Sequence, residues 1–171
     1  MVVLITGASH TGKTLLAQKL METYRYLCFS IDHLKMGLIR SGYAKLEPEE
    51  DEALEEYLWP ILREMIKTVI ENGQNLILEG CYIPFDWAKD FEERYREQIR
   101  FYCLVMSETY IKNHFDRIQQ YASVAEKRLC DDWCTPENLL RENARFLRLA
   151  RQHGAGYLLI DGEEYRVSVT L

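Results

Sequence analysis

Hydrophobic and polar positions along the chain fall into blocks whose spacing switches between that of strands and that of helices. Val2-Val3-Leu4-Ile5 is a short β-branched run closed by Thr6-Gly7, and Leu15, Leu16, Leu20 and Met21 follow at helical spacing. The opening unit therefore reads strand, glycine loop, helix. Leu27 to Ile31 is a second apolar run that ends at Asp32. From Glu49 to Asn72 the apolar residues keep helical spacing, with Pro60 expected to kink or divide the segment and Asn72-Gly73 to stop it. Leu76-Ile77-Leu78 is a third strand ending in Glu79-Gly80. Ile99 to Met106 is a fourth, and Tyr110 to Tyr121 is helical after it. Thr135-Pro136 predicts an N-cap with proline at the first helical position, Gly154 closes that helix, and Tyr157 to Ile160 is the fifth strand. Strands alternating with helices predict an α/β protein with a parallel sheet covered on both faces. No repeat or linker interrupts this order, so one domain is expected over residues 1–171. The acidic stretch Glu47 to Glu56 reads as the solvated face of a helix start.

Between the first strand and helix, Gly7-Ala8-Ser9-His10-Thr11-Gly12-Lys13-Thr14 matches G-x-x-x-x-G-K-[ST]. Glycines at Gly7 and Gly12 let successive N–H groups surround an anion. Ser9, His10 and Thr11 supply the rest of that cradle, with His10 read as a partly exposed neighbour of phosphate and not as a catalytic group. Lys13 reaches the β- and γ-phosphates, Thr14 ligates Mg²⁺, and the helix presents its positive end. ATP and Mg²⁺ are the expected cofactors. No Asn-Lys-x-Asp guanine motif occurs in the chain.

The formal net charge of −6 lacks the basic surplus that nucleic-acid binding demands. The expected partner is a small phosphoryl acceptor, with no nucleic acid and no membrane; oligomeric state is not readable. Five cysteines, three of them in apolar runs, suggest reduced thiols in a cytoplasmic protein. The Val2 to Ile5 run is too short for a signal peptide or a membrane span. Cys130 and Cys134 lack the second pair of a structural zinc site and read as ordinary thiols.

Two acids mark strand ends. Asp32 follows strand two, where a carboxylate can accept a proton from an acceptor hydroxyl or hold Mg²⁺ through water; the alternative is a simple N-cap. Glu79 closes strand three, where an acid supports the metal or orients the acceptor; the alternative is a solvated turn residue. Arg117, Lys127 and Arg128 surround the polar segment Gln119 to Ser123, a candidate lid whose cations could follow the migrating charge. Arg141, Arg145 and Arg148 share one face of the next helix.

With the phosphate loop, Ser30-Ile31-Asp32-His33-Leu34-Lys35 and Leu78-Glu79-Gly80-Cys81-Tyr82-Ile83-Pro84 in view, the chain resembles P-loop kinases of the nucleoside monophosphate kinase superfamily. That resemblance implies a three-layer P-loop NTPase sandwich with a five-stranded parallel sheet in the order 2-3-1-4-5. It also implies an acceptor region after strand two and a helical lid spanning roughly residues 115–133. Adenylate kinases carry Thr-Gly-Asp-x-x-Arg and Asp-Gly-x-Pro-Arg where this chain has Ile31, Lys35 and no arginine after Pro84. Those arginines grip an acceptor phosphate in bidentate fashion, which lysine does not reproduce. Glu79 to Pro84 and Asp32 to Arg40 look more like the 2-phosphoglycerate kinase-like and the zeta-toxin or chloramphenicol phosphotransferase-like branches. In the latter an aspartate after strand two is the base, a role that would pass to Asp32.

The reading is an ATP- and Mg²⁺-dependent kinase of a small hydroxyl- or phosphate-bearing metabolite, with Lys13, Asp32, Arg117 and Arg128 catalytic. Asp32, Lys35, Arg40, Glu79 and Tyr82 would meet the acceptor, and Thr14, Asp32 and Glu79 the metal. The alternatives are a nucleoside monophosphate kinase whose Lys35 and Arg40 hold the acceptor phosphate, and a nucleotide-dependent switch or binding module.

Overall fold

The computed structural model describes residues 1–121 and 133–171. Lys127, Arg128 and Cys130, with most of the expected lid, lie outside the described residues. Five strands, β1 (Val2–Gly7), β2 (Leu27–Ser30), β3 (Leu76–Glu79), β4 (Ile99–Met106) and β5 (Tyr157–Ile160), form one parallel sheet in the order β2-β3-β1-β4-β5. The central strand β1 is buried throughout and alternates between two cores. Val2 and Leu4 pack with Leu54, Leu58, Leu62 and Ile66 on one face, while Val3 and Ile5 meet Leu16, Leu20 and Ile111 on the other. A sheet buried on both faces needs continuous apolar strands, which is the β-branched run the sequence shows.

The first face is covered by α2 (Ile31–Arg40) and α3 (Asp51–Glu71), followed by a 3₁₀ turn at Trp87–Asp90 and the short α4 (Glu93–Arg96). The second carries α1 (Lys13–Tyr24) and α5 (Glu108–Tyr121), and α6 (Pro136–Gln152) packs on α5 and β4. Thr135 caps α6 by accepting from the Asn138 N–H at 3.2 Å, with Pro136 first in the helix.

Pro60 does not divide α3, which runs unbroken through it. The proline is exposed, whereas Leu54, Leu58, Trp59, Leu62, Ile66 and Ile70 are buried on the other side. Burying those six side chains, each favourable by about 1.5–3 kcal/mol, outweighs the roughly 3 kcal/mol a mid-helix proline costs. Among the described residues no helix is long and apolar enough to cross a membrane.

Candidate functional site

The phosphate loop hangs between β1 and α1 and is braced from two sides. At Gly7, with φ 142°, an added Cβ would stand 2.3 Å from the Leu104 carbonyl oxygen, so only glycine lets the loop leave the sheet this close to β4. Thr11 turns inward and donates to the Ala8 carbonyl at 2.7 Å. His10 is held at φ 65°, and its ring lies parallel to Trp133 with centroids 6.3 Å apart. From behind, Tyr165 of the segment following β5 donates its hydroxyl to the Thr11 carbonyl at 3.0 Å and covers Gly12.

The start of α1 is uncapped. No side chain caps α1 and its first turn holds no acid, so no side chain of that turn competes for its leading N–H groups. Lys13 donates to the Ala8 carbonyl at 2.9 Å. Burial works against its ammonium, yet Cys81, Glu79, Glu142 and Asp32 outweigh burial and raise the pKa. Burial also raises the Cys81 pKa, with Lys13 opposing. The residues present therefore fit a triphosphate: a cation under tension between acids, uncapped N–H groups, and the Thr14 hydroxyl at the start of α1.

Glu79 is 3% exposed, which removes the solvated-turn alternative; as β3 alternates, it shares the face of Ile77, which packs against α1. Asp32 does not cap α2, because Ser30 holds that position. It sits in the first turn, half exposed, and pairs with Lys35 at 3.3 Å. Lys35 is itself 12% exposed and donates to the Tyr82 hydroxyl at 2.9 Å, which donates onward to Asp51 at 3.0 Å. Burial, with Asp51 and Asp32 nearby, pushes the Tyr82 pKa up and keeps the phenol a donor. Among the described residues no three His, Cys, Asp or Glu form a metal cluster. Mg²⁺ bound to phosphate oxygens needs only one or two protein ligands, a demand Thr14 with Glu79 or Asp32 can meet.

Beside the loop opens a cavity of about 350 Å³. Cys81, Tyr82 and Phe85 from the loop after β3 form one wall, and Glu142, Arg145 and Phe146 of α6 another. Asp51, Glu52, Glu55 and Glu56 of α3 close it; all but Glu55 are exposed, so this solvated face of the helix start is also the rim of the cavity. Two contacts join cavity and loop. The Cys81 thiol lies 3.6 Å from the Gly7 carbonyl oxygen, and the Glu142 carboxylate accepts the Ser9 N–H at 2.7 Å. The Glu142 side chain thus already takes one N–H of the loop.

The structure thus brings together Lys13, Asp32, Glu79, Lys35 and Tyr82, and adds Glu142 and Arg145, which the sequence did not single out above their neighbours. Arg40 is exposed at the end of α2 and does not line the cavity. Arg117 points elsewhere, toward the Glu163 carbonyl at 3.5 Å. Arg141 is tied to Asn138 and Arg148 is exposed, leaving Arg145 as the arginine of α6 at the cavity.

No protein-family model and no curated protein matches the sequence. Solved structures do match. A candidate kinase from Chloroflexus aurantiacus superposes with a TM-score of 0.55 at 24% identity, over 94% of this chain and 86% of that one. Shikimate kinase from Bacteroides thetaiotaomicron gives 0.54 at 17% identity over the same shares, 94% and 86%. An uncharacterized protein from Eubacterium ventriosum gives 0.50 at 12%, over 94% and 89%. The likeness shows the fold: a five-stranded parallel α/β sheet of the P-loop type, with the strand order seen here.

Proposed function

We propose that this chain is an ATP- and Mg²⁺-dependent kinase that transfers the γ-phosphoryl group to a hydroxyl of a small acceptor. One observation carries the reading: two residues that line the cavity also touch the phosphate loop, Cys81 at Gly7 and Glu142 at Ser9. A nucleotide switch needs a partner surface, whereas a cavity beside the loop suits an acceptor held for in-line transfer. The resemblance to nucleoside monophosphate kinases supplies the frame, but among the described residues the grip for a second phosphate is missing. Lys35 is engaged by Tyr82 and Asp32, and Arg40 stands off the cavity.

In this reading the loop N–H groups and Lys13 bind the triphosphate, Thr14 and Glu79 provide oxygens for Mg²⁺, and Tyr165 keeps the loop in shape. Mg²⁺, when bound, offsets the charge on the β- and γ-phosphate oxygens. Glu142 is better placed than Asp32 to take the acceptor's proton, because it lines the cavity and meets the loop. Burial raises its pKa, against the pull of the Ser9 N–H and of Lys13, toward the range useful for a base. The acceptor oxygen bonds to the γ-phosphorus as the bond to the bridging oxygen breaks, ADP departs with that electron pair, and the hydroxyl proton passes to Glu142. Asp32 then serves to position Lys35 and Tyr82.

Lys13→Ala is expected to lower ATP-dependent transfer by at least about a hundredfold while leaving the circular dichroism spectrum unchanged. Retained transfer would overturn the assignment.

A further inference from the structure

The cavity is unusual for a site next to a triphosphate, because its own lining is strongly anionic. Asp51, Glu52, Glu55, Glu56, Asp86 and Glu142 face one guanidinium, Arg145, with His153 as the other basic group. The positive end of α3 accounts for Asp51 and Glu52 in its first turn. It does not account for Glu55 or Glu56, whereas Asp86 is paired with Lys89. Asp51 with Glu55, and Glu52 with Glu56, are like-charge pairs at i, i+4, an arrangement that costs helix stability. Glu52, Glu55 and Glu56 make no ion pair within 4.0 Å among the described residues, whereas Glu64 on the same helix is paired with Arg63 and Lys67.

The remaining lining is mainly aromatic and apolar. Phe85 and Phe146 meet edge to face with centroids 5.7 Å apart, and Tyr82 adjoins them. Acids above an aromatic floor attract an organic cation twice over, by Coulomb attraction and through ring faces. They repel a phosphate or carboxylate. Residues 122–132 carry Lys127 and Arg128 against Glu126, Asp131 and Asp132. A volume of about 350 Å³ is small for a ligand site and suits a single ring or short chain.

We propose that the acceptor is a small hydroxylated amine or guanidine, its cation held by the α3 acids over Phe85 and Phe146, its hydroxyl directed to the Glu142 end beside the loop. This rests on the kinase reading and names the substrate class of the same cavity. Transfer leaves the ammonium untouched: the phosphoryl group goes to oxygen, ADP leaves, and the hydroxyl proton goes to Glu142.

The test is coupled ADP release over acceptors matched in size and differing in charge. Hydroxylated amines such as glucosamine and ethanolamine are set against glucose and ethylene glycol, and against glucuronate, glycolate and sugar phosphates. The expected result is turnover concentrated in the ammonium members, with kcat/KM at least about tenfold above that of their neutral counterparts. The Glu52→Gln/Glu55→Gln double variant should lose at least about tenfold in kcat/KM for the ammonium acceptor while KM for ATP stays within about twofold. Equal or better turnover of neutral or anionic members, or an unaltered double variant, would overturn the proposal and leave the kinase reading standing. If nothing across the whole panel is phosphorylated although wild type binds an ATP analogue and Lys13→Ala does not, the kinase reading fails and this inference falls with it.

Discussion

Gly12→Ala tests the bracing of the phosphate loop without touching a charged group. Gly12 has φ 80°, a backbone state that an L-residue enters at a cost of about 1–2 kcal/mol. The new Cβ would also stand 2.2 Å from the Tyr165 hydroxyl oxygen and 2.8 Å from the ring carbon bearing it. Tyr165 must swing away and lose its bond to the Thr11 carbonyl, which adds about 0.5–1.5 kcal/mol. Together the substitution costs about 1.5–3.5 kcal/mol, and a domain of this size loses roughly 2–4 °C of Tm per kcal/mol, so Tm falls by roughly 3–14 °C. The assay is urea and thermal unfolding of a four-member cycle: wild type, Gly12→Ala, Tyr165→Ala and the double variant. In the Tyr165→Ala background only the backbone contribution of about 1–2 kcal/mol should remain. Equal cost in both backgrounds, with coupling below about 0.5 kcal/mol, would refute the contact as the cause.

Three further outcomes are expected. Glu142→Gln should lower kcat by roughly 10²–10⁴-fold and abolish the acid limb of the pH–rate profile, which in wild type lies above the ordinary glutamate pKa because burial raises it; Asp32→Asn should do less. Asn143 is 2% exposed and accepts the Met106 N–H at 2.7 Å, so Asn143→Ala should cost about 1–3 kcal/mol in urea unfolding by orphaning that donor. Burial raises the Glu55 pKa, with Arg145 opposing and Asp86, Glu52 and Glu56 reinforcing. The native state therefore holds the Glu55 proton to higher pH than the unfolded chain does, and ionisation destabilises the fold as pH rises. Glu55→Gln should raise Tm at pH 7 and bring no gain well below pH 4; a gain of equal size at both pH values would contradict the cause assigned.

The layout of the sheet was legible because its signals are local. The β-branched run before Gly7, the loop pattern and the apolar spacing of α1 sit within a few residues of one another, and Thr135-Pro136 and Asn72-Gly73 mark helix ends by chemistry that acts over one turn. Pro60 does not divide α3, for the converse reason: whether a helix tolerates a proline depends on what its opposite face buries. Glu142 could not be found from its neighbours, since an acid in an amphipathic helix looks solvated until β4 and the loop are packed against it. The acids at the head of α3 were read as surface on the same logic, and the wall opposite them, Phe85 and Phe146, comes from distant segments. Tyr165 belongs to no motif at all.

That tyrosine also sets an order of events. It lies 154 residues beyond Thr11, the residue whose carbonyl it holds. At synthesis rates of about 5–20 residues per second, roughly 8–30 s separate the appearance of the loop from that of its brace. Throughout that interval the nascent chain carries a complete phosphate-loop sequence whose Gly12 lacks the cover of Tyr165. Nucleotide affinity should therefore arrive late in biogenesis, so that a chain stalled before Tyr165 retains the motif yet holds ATP poorly.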